Sequence, residues 1–503
     1  MKTVLEYLEH TAALRPQAVA VEDASGTATF RELELACRKV GSALTACIAP
    51  GEPVAVLLEK GRTALFAFWG AVYAGGCYVP FNPDLPAPRL GQVQAVLGAR
   101  YVITDQAHRA LAEQLFPPAA VLDIADLLAA PLQPARLESV RQGVIDADPL
   151  YINFTSGSTG QPKGVVVSHR SVMDFIDVFT ETFSITREDV LANQAPFDFD
   201  VSVKDLYTML KTGARLTVVP KELFSRPREL VDWLCDRGAT TLIWAVSALC
   251  LVSAFHGLDY RVPAGVNKVL FSGEVMPHKH LKAWRDHLPE ATFVNLYGPT
   301  EITCNCTYHV LDPGRDYAGG IPIGKAFPNE EVFLLDDQDQ EITAPGITGE
   351  LCVRGTALAL GYCRAPAATA AAFVPDPRGR AWPAVIYRTG DLGQYGLEGE
   401  LYFRGRKDFQ IKYQGHRIEL EEIEGAVAQV PGVERCCCLF QEERQRLWGF
   451  YQGTAEPETV RADLARRLPG YMVPSALRRR EAFPLNKNGK VDRQALLAGE
   501  VRR

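Results

Sequence analysis

The sequence predicts an α/β protein with more than one compact region, and three observations carry that reading. Apolar β-branched runs alternate with helical patterns through most of the first 330 residues, as expected of helices layered on mainly parallel sheets. From about Val332 the pattern changes to short strands separated by turn signals, VFLLDDQDQEI, GELCVRG and GELYFRGR, which reads as an antiparallel β unit. After Arg406 comes a mixed α+β segment, with helices expected near residues 420–430 and 457–468. A chain of 503 residues exceeds the ~100–200 residues of a typical domain. A large part over residues 1–405 and a smaller one over 406–503 are therefore expected. The boundary falls at residues 405–408 (GRKD), where charge interrupts the strands.

Taken in order, residues 1–16 carry Glu6, Glu9 and His10 among their apolar residues, which is not the pattern of a signal peptide. Strand-like runs stand at residues 54–58, 101–104, 150–154, 164–167, 216–219, 241–244 and 268–271. Residues 63–82, TALFAFWGAVYAGGCYVPFN, contain no charge and approach the length of a membrane span. Gly75-Gly76 and Pro80 divide them into a helix-like and a strand-like half, so a buried helix–turn–strand is expected, without membrane insertion, in a cytoplasmic protein. The composition, 47% hydrophobic and 22% charged, is that of ordinary globular proteins. With a net charge of −7 and no recurring basic stripe, no nucleic-acid partner is expected. The densest basic patch, Arg478 to Arg480, reads as a solvated face.

The twelve cysteines include no CxxC pair. Cys436, Cys437 and Cys438 sit in an apolar run suited to a buried strand, and Cys304 and Cys306 would turn both thiols to one side of a strand. Reduced, buried thiols are expected rather than a metal centre or disulfides.

The most informative stretch is residues 155–163, TSGSTGQPK, in which six of nine residues are Gly, Ser or Thr and a lysine closes the loop. Glycine lets backbone approach a ligand, and hydroxyls and exposed N–H groups donate to phosphate. Lys163 adds a mobile point charge for a polyphosphate oxygen. The strand-like flanks separate this loop from the Walker A pattern, which opens a helix.

Five further clusters follow. Residues 295–301 (NLYGPTE) come after an apolar strand at 292–294 and place an aromatic plane, a tight turn and a carboxylate in one short loop. An aromatic suits a flat base, and a carboxylate beside phosphates suits Mg²⁺. Residues 387–391 (YRTGD) end a strand with an acid able to accept two ribose hydroxyls. Gly405-Arg406, residues 412–424 (KYQGHRIELEEIE) and residues 484–493 (PLNKNGKVDR) complete the series. Each alone reads as a turn or surface loop; six in this order do not.

With these motifs the chain resembles the adenylate-forming superfamily, specifically the amino-acid-adenylating branch of nonribosomal peptide synthetases, over residues 4 to about 497. Residues 199–207 (FDVSVKDLY) and 269–277 (VLFSGEVMP) are also similar to stand-alone D-alanine–carrier-protein ligases. The resemblance implies two α/β subdomains and an antiparallel β-barrel-like subdomain, followed by a small mobile α+β domain. Thr155, Ser156, Gly157, Ser158, Thr159, Gly160 and Lys163 would hold the ATP phosphates. Tyr297 would stack on adenine with Gly273 and Glu274 beside it, Thr300 would contact the α-phosphate and Glu301 would ligate Mg²⁺. Asp391 would bind the ribose, with Arg406 close to the nucleotide. Lys490 would be the catalytic lysine, bridging the substrate carboxylate and the α-phosphate. Positioning and electrostatics suffice for that step. A carrier-protein phosphopantetheine thiol would then take the acyl group, after rotation about Asp408 brings residues 414–416 into play. No Gly-Gly-His-Ser or Gly-Gly-Asp-Ser attachment site is present, so the carrier is expected in trans, met transiently by a monomer.

Asp200 matches the position that pairs with a substrate α-ammonium, which implies an amino acid rather than a fatty or aryl acid. Acyl- or aryl-CoA synthetase is the distant alternative. The remaining pocket positions would be Val201, Lys204, Trp244, Leu270, Ser272, Leu296, Cys304 and Asn305. Trp244 should shrink the pocket toward alanine, serine or glycine. The D-alanine ligases typically carry cysteine in place of Ser272 and methionine in place of Lys204. Lys204 departs from the aromatic or apolar residue common at this position in the family and would either salt-bridge an acidic side chain such as glutamate or turn outward with its stem packed on Trp244. A small amino acid is the first expectation and an acidic one the second.

Overall fold

The computed structural model describes residues 1–157, 161–484, 491–493 and 495–497. Packing divides the chain into two compact units. One comprises residues 1–83, 97–153 and 164–407; the other comprises 84–96, 154–163 and 408–503.

Two sheets organise the large unit. In the nine-stranded sheet six strands run parallel, in the order Thr292–Tyr297, Lys268–Ser272, Thr241–Ala245, Val190–Asn193, Arg215–Val218 and Val19–Asp23, with antiparallel strands at both edges. The seven-stranded sheet contains Pro53–Leu57 between its parallel neighbours Cys77–Phe81 and Tyr101–Thr104, and also Pro149–Thr155 and Lys163–Ser168. These strands are buried and rich in Val, Ile and Leu, as parallel strands covered on both faces must be. The helices Arg62–Tyr73, His169–Thr182 and Val201–Thr212 contribute to a continuous core shared by both sheets, in which Trp69, Tyr151, Phe179 and Tyr207 are fully buried. The Tyr78 and Tyr207 hydroxyls meet at 2.9 Å within it, satisfying two polar groups that burial would otherwise penalise.

The charge-free stretch forms the expected helix–turn–strand: helix Arg62–Tyr73, a turn with Gly75 at φ +80°, and strand Cys77–Phe81. Among the described residues no helix is long and apolar enough to cross a membrane.

The third sheet is antiparallel, built on Glu330–Leu335, Thr348–Gly355, Val385–Tyr395 and Leu401–Arg406. The smaller unit has its own core, formed largely from the helices Leu420–Ala428 and Pro457–Arg467 and the sheet of Val433–Gln441, Arg446–Gly453 and Ala476–Arg479. All cysteines of the chain are free thiols. Cys436 to Cys438 lie on the strand Val433–Gln441 as expected.

Three local expectations are corrected. Tyr297 is the last residue of a strand rather than part of the loop after it. Asp391 lies inside the 11-residue strand Val385–Tyr395, where Gly390 at φ +72° and a register shift between Asp391 and Gly393 re-aim it. Cys304 and Cys306 are not on a strand. They follow the short 3-10 helix Thr300–Ile302 in an irregular turn with Thr303 and Cys304 at φ +52° and +83°.

Candidate active site

In the large unit the sequence-selected residues gather into three groups. The first joins Tyr297, the last residue of its strand, to Asp391 within the strand Val385–Tyr395 and Arg406 at the end of Leu401–Arg406. The Tyr297 hydroxyl donates to Asp391 Oδ2 at 2.6 Å, and the Arg406 guanidinium pairs with Asp391 Oδ1. Arg406 Nη2 also donates to the Thr389 carbonyl at 3.3 Å, and the Thr389 hydroxyl accepts from the Asp391 N–H at 2.9 Å. Asp391 and Tyr297 are buried. Burial, and then the Asp391 charge, push the Tyr297 phenol well above its ordinary range, so it remains a donor.

The second group surrounds Glu301. Its carboxylate is buried and accepts from the Tyr362 hydroxyl at 2.7 Å, while its carbonyl accepts from the Ala359 N–H at 2.8 Å. Thr300, also buried, opens the same 3-10 helix. Among the described residues no cluster of three or more His, Cys, Asp or Glu side chains could form an all-protein metal cage. A single fixed carboxylate of this kind fits Mg²⁺ as it is usually bound, by one or two carboxylates together with substrate phosphates. Gly273 (φ +98°) and Glu274, half-buried, follow the strand Lys268–Ser272.

The third group lies along the helix Val201–Thr212. Asp200, at its head, is buried and makes no capping hydrogen bond to the helix. One turn on, Lys204 is fully buried, and its Nζ donates to Asn305 Oδ1 at 2.8 Å and Ser272 Oγ at 3.3 Å. Of the two dispositions left open for Lys204, it takes the inward one. The Cys304 thiol lies close by, pushed up to about 12 by burial while the Lys204 charge draws it down. Val201, Leu270 and Leu296 are buried. Trp244 is turned into the core: its Nε1 donates to the Ala192 carbonyl at 2.7 Å and its ring meets Phe224 edge-on.

The turn carrying Cys304 and Asn305 depends on Gly298. A Cβ there would stand 2.5 Å from Asn305 Cα and 2.8 Å from the Cys304 oxygen.

Sequence reasoning missed the groups behind this helix. Asp205 accepts from Asn193 Nδ2 at 2.8 Å, and Lys60 Nζ donates to the carbonyls of Asn193 and Gln194 at 3.0 and 2.9 Å. Burial pushes the Asp205 carboxyl up to about 7 and the Lys60 ammonium down to about 7. The available signal was a Lys-Asp pair inside an apolar helical run; Lys60 carried none. Tyr362 was missed as well.

The glycine-rich loop belongs to the smaller unit. Ser156 Oγ donates to the Arg417 carbonyl at 2.6 Å and accepts from the Glu419 N–H at 3.2 Å. A Cβ on Gly157 would lie 2.0 Å from the Gln161 oxygen, so a larger residue there would collide with backbone. The Thr155 hydroxyl is buried with no hydrogen-bond partner among the described residues. Lys163 opens the strand Lys163–Ser168. Asp408 Oδ1 accepts from the Gln410 N–H at 3.2 Å. Ser158, Thr159, Gly160 and Lys490 lie outside the described residues.

Comparison with known proteins places these features in a family. Residues 8–363 match the model of AMP-binding enzymes, and residues 422–490 that of the AMP-binding enzyme C-terminal domain. The chain belongs to the AMP-binding enzyme family. Among its relatives are a dimodular nonribosomal peptide synthase of Bacillus subtilis (strain 168), 33% identical over 98% of this chain, and gramicidin S synthase 2 of Aneurinibacillus migulanus, 33% identical over 99%. The chain spans only 21% and 11% of those two proteins. Among solved structures, PA1221, an NRPS protein containing adenylation and PCP domains, superposes with a TM-score of 0.84 at 28% identity, covering 99% of this chain and 84% of that one. IdnL1 gives 0.82 at 29% identity, covering 96% and 99%. The fold is that of adenylation domains.

Proposed function

We propose that this enzyme activates an amino acid with ATP, forming an aminoacyl-AMP and pyrophosphate, and passes the acyl group to the phosphopantetheine thiol of a separate carrier protein. One observation carries the reading. The chain aligns over 98% of its length with a segment of a nonribosomal peptide synthase. The buried Tyr297–Asp391–Arg406 group supports the nucleotide half of the assignment.

In this reading Tyr297 offers its ring to adenine and Asp391 takes the ribose hydroxyls. The loop from Thr155 to Lys163 holds the phosphates, with Thr300 at the α-phosphate. Asp200 orients the substrate by its α-ammonium. A carboxylate approaching a polyphosphate is opposed by charge, and Lys490 relieves that opposition at the reacting atoms. Mg²⁺, held in part by Glu301, supplies further neutralisation of the phosphates when bound. Asp408 serves as the hinge residue between the two half-reactions. D-Alanine as substrate follows the resemblance to D-alanine–carrier-protein ligases, although Ser272 and Lys204 depart from it.

ATP–pyrophosphate exchange tests the reading. Exchange should depend on an added amino acid, and Asp200→Ala should abolish it while the protein stays folded. Undiminished exchange in that variant would show that the acid activated is not an amino acid.

A further inference from the structure

The helix Val201–Thr212 sets two opposite charges one turn apart: Asp200 at its head and Lys204 four residues on. Residues at this spacing share one face of a helix, with Cβ atoms about 5–6 Å apart. The polar atoms placed against the Lys204 ammonium are the Asn305 amide oxygen at 2.8 Å and the Ser272 hydroxyl at 3.3 Å. The Cys304 thiol is the third neighbour, kept protonated by burial. All three are neutral. Among the described residues no carboxylate lies within ion-pair distance of Lys204. Asp205, next in sequence and a helical step of about 100° away, is held through Oδ2 by Asn193 and meets the Lys204 charge only through space.

A fully buried ammonium whose direct hydrogen-bond partners are all neutral still lacks the paired anion that would best offset its burial. We infer that the anion arrives with the substrate: the preferred amino acid carries a side-chain carboxylate, which pairs with Lys204 while its α-ammonium pairs with Asp200. This inference rests on the amino-acid-activating reading above. It reverses the sequence-based preference for alanine, serine or glycine, which rested on Trp244, a residue now seen donating to the Ala192 carbonyl. Asn305 and Ser272 act as positioning residues that aim the ammonium. Their own polarity gives a neutral side chain less than a carboxylate would gain.

The test is an exchange panel on the wild-type protein, comparing aspartate with asparagine, glutamate with glutamine, and these with alanine, serine and glycine. Each acid–amide pair is matched in size, so charge alone is read. One acidic amino acid should exceed its amide and the small neutral amino acids by about 100-fold or more in kcat/KM, since a site built around a polar partner rejects analogues lacking it. The aspartate and glutamate arms identify the length. In Lys204→Met the preferred acid should lose about 100-fold in kcat/KM relative to its own amide. A wild-type preference for alanine, serine or glycine overturns the inference and leaves amino-acid activation standing. So does an unchanged acid-to-amide ratio in Lys204→Met. Exchange with no amino acid at all overturns the activation reading itself. Should Lys204→Met fail to fold, as judged by circular dichroism, the wild-type panel decides alone.

Discussion

Tyr297 and Asp391 come from different sheets and are joined by a 2.6 Å hydrogen bond, with Arg406 on the second oxygen of the same carboxylate. The residue proposed to lie against adenine and the residue proposed to hold the ribose therefore form one buried unit. Asp391→Asn keeps the shape, removes the charge and deprives Arg406 of its carboxylate. It should raise the KM for ATP by about 10–100-fold, the worth of a charged hydrogen bond, and lower stability by about 3 kcal/mol. Exchange kinetics and denaturant unfolding measure the two effects. A lost stability with an unchanged KM would remove Asp391 from the nucleotide site.

Gly298 controls the other wall. With Asn305 Cα only 2.5 Å from where a Cβ would stand, Gly298→Ala must displace the turn that carries Cys304 and Asn305. Overpacking of this kind costs about 1–3 kcal/mol. Because Asn305 holds the Lys204 amine, the KM for the amino acid should rise more than the KM for ATP. Equal effects on both would mean that the turn does not set the substrate pocket.

Much of the scaffold was legible because parallel strands buried on both faces carry continuous apolar runs, and these were read within a residue or two. The misreadings had local causes. The strand Thr292–Tyr297 passes through the polar Asn295, whose amide is satisfied by the Pro322 carbonyl at 2.8 Å. A tertiary contact thus let the strand run on where the pattern suggested a loop. The bulge at Asp391 and the left-handed backbone of Thr303 and Cys304 are set by neighbouring chain segments and leave no mark on residue type. The direction of Lys204 was undetermined for a similar reason: its helix is buried nearly all round, so periodicity names no polar face. Nor does sequence order reveal that residues 84–96 and 154–163 group with 408–503.

The two half-reactions should separate by mutation. Lys490→Ala removes the charge proposed at the reacting phosphate and should lower exchange by about 100–1,000-fold. Thioester formation from a supplied aminoacyl-adenylate should stay largely intact. Asp408→Pro should do the reverse, because proline fixes φ near −65° and blocks a hinge that needs to turn. Adenylation would persist while transfer to the carrier falls. Parallel losses of both steps in both variants would contradict alternation between two arrangements.

The last prediction concerns pH. His169 is buried, and its Nδ1 accepts from the Val4 N–H at 3.4 Å, which requires the neutral ring. Burial pushes its imidazolium down to about 4 from an ordinary 6.5, with Asp148 and Asp146 pulling weakly the other way. A folded value below the unfolded one means that the fold favours the deprotonated form. The stability this contributes is complete above pH 6.5 and is lost as pH falls through the window down to 4. Full loss amounts to about 3 kcal/mol. Denaturant unfolding of the wild type at pH 7.5 and pH 5 should therefore differ by about 2 kcal/mol from this group alone. His169→Gln retains an acceptor for Val4 but cannot titrate, so its stability should change less between the same two conditions. An identical pH dependence in wild type and variant would show that His169 is not the group being protonated.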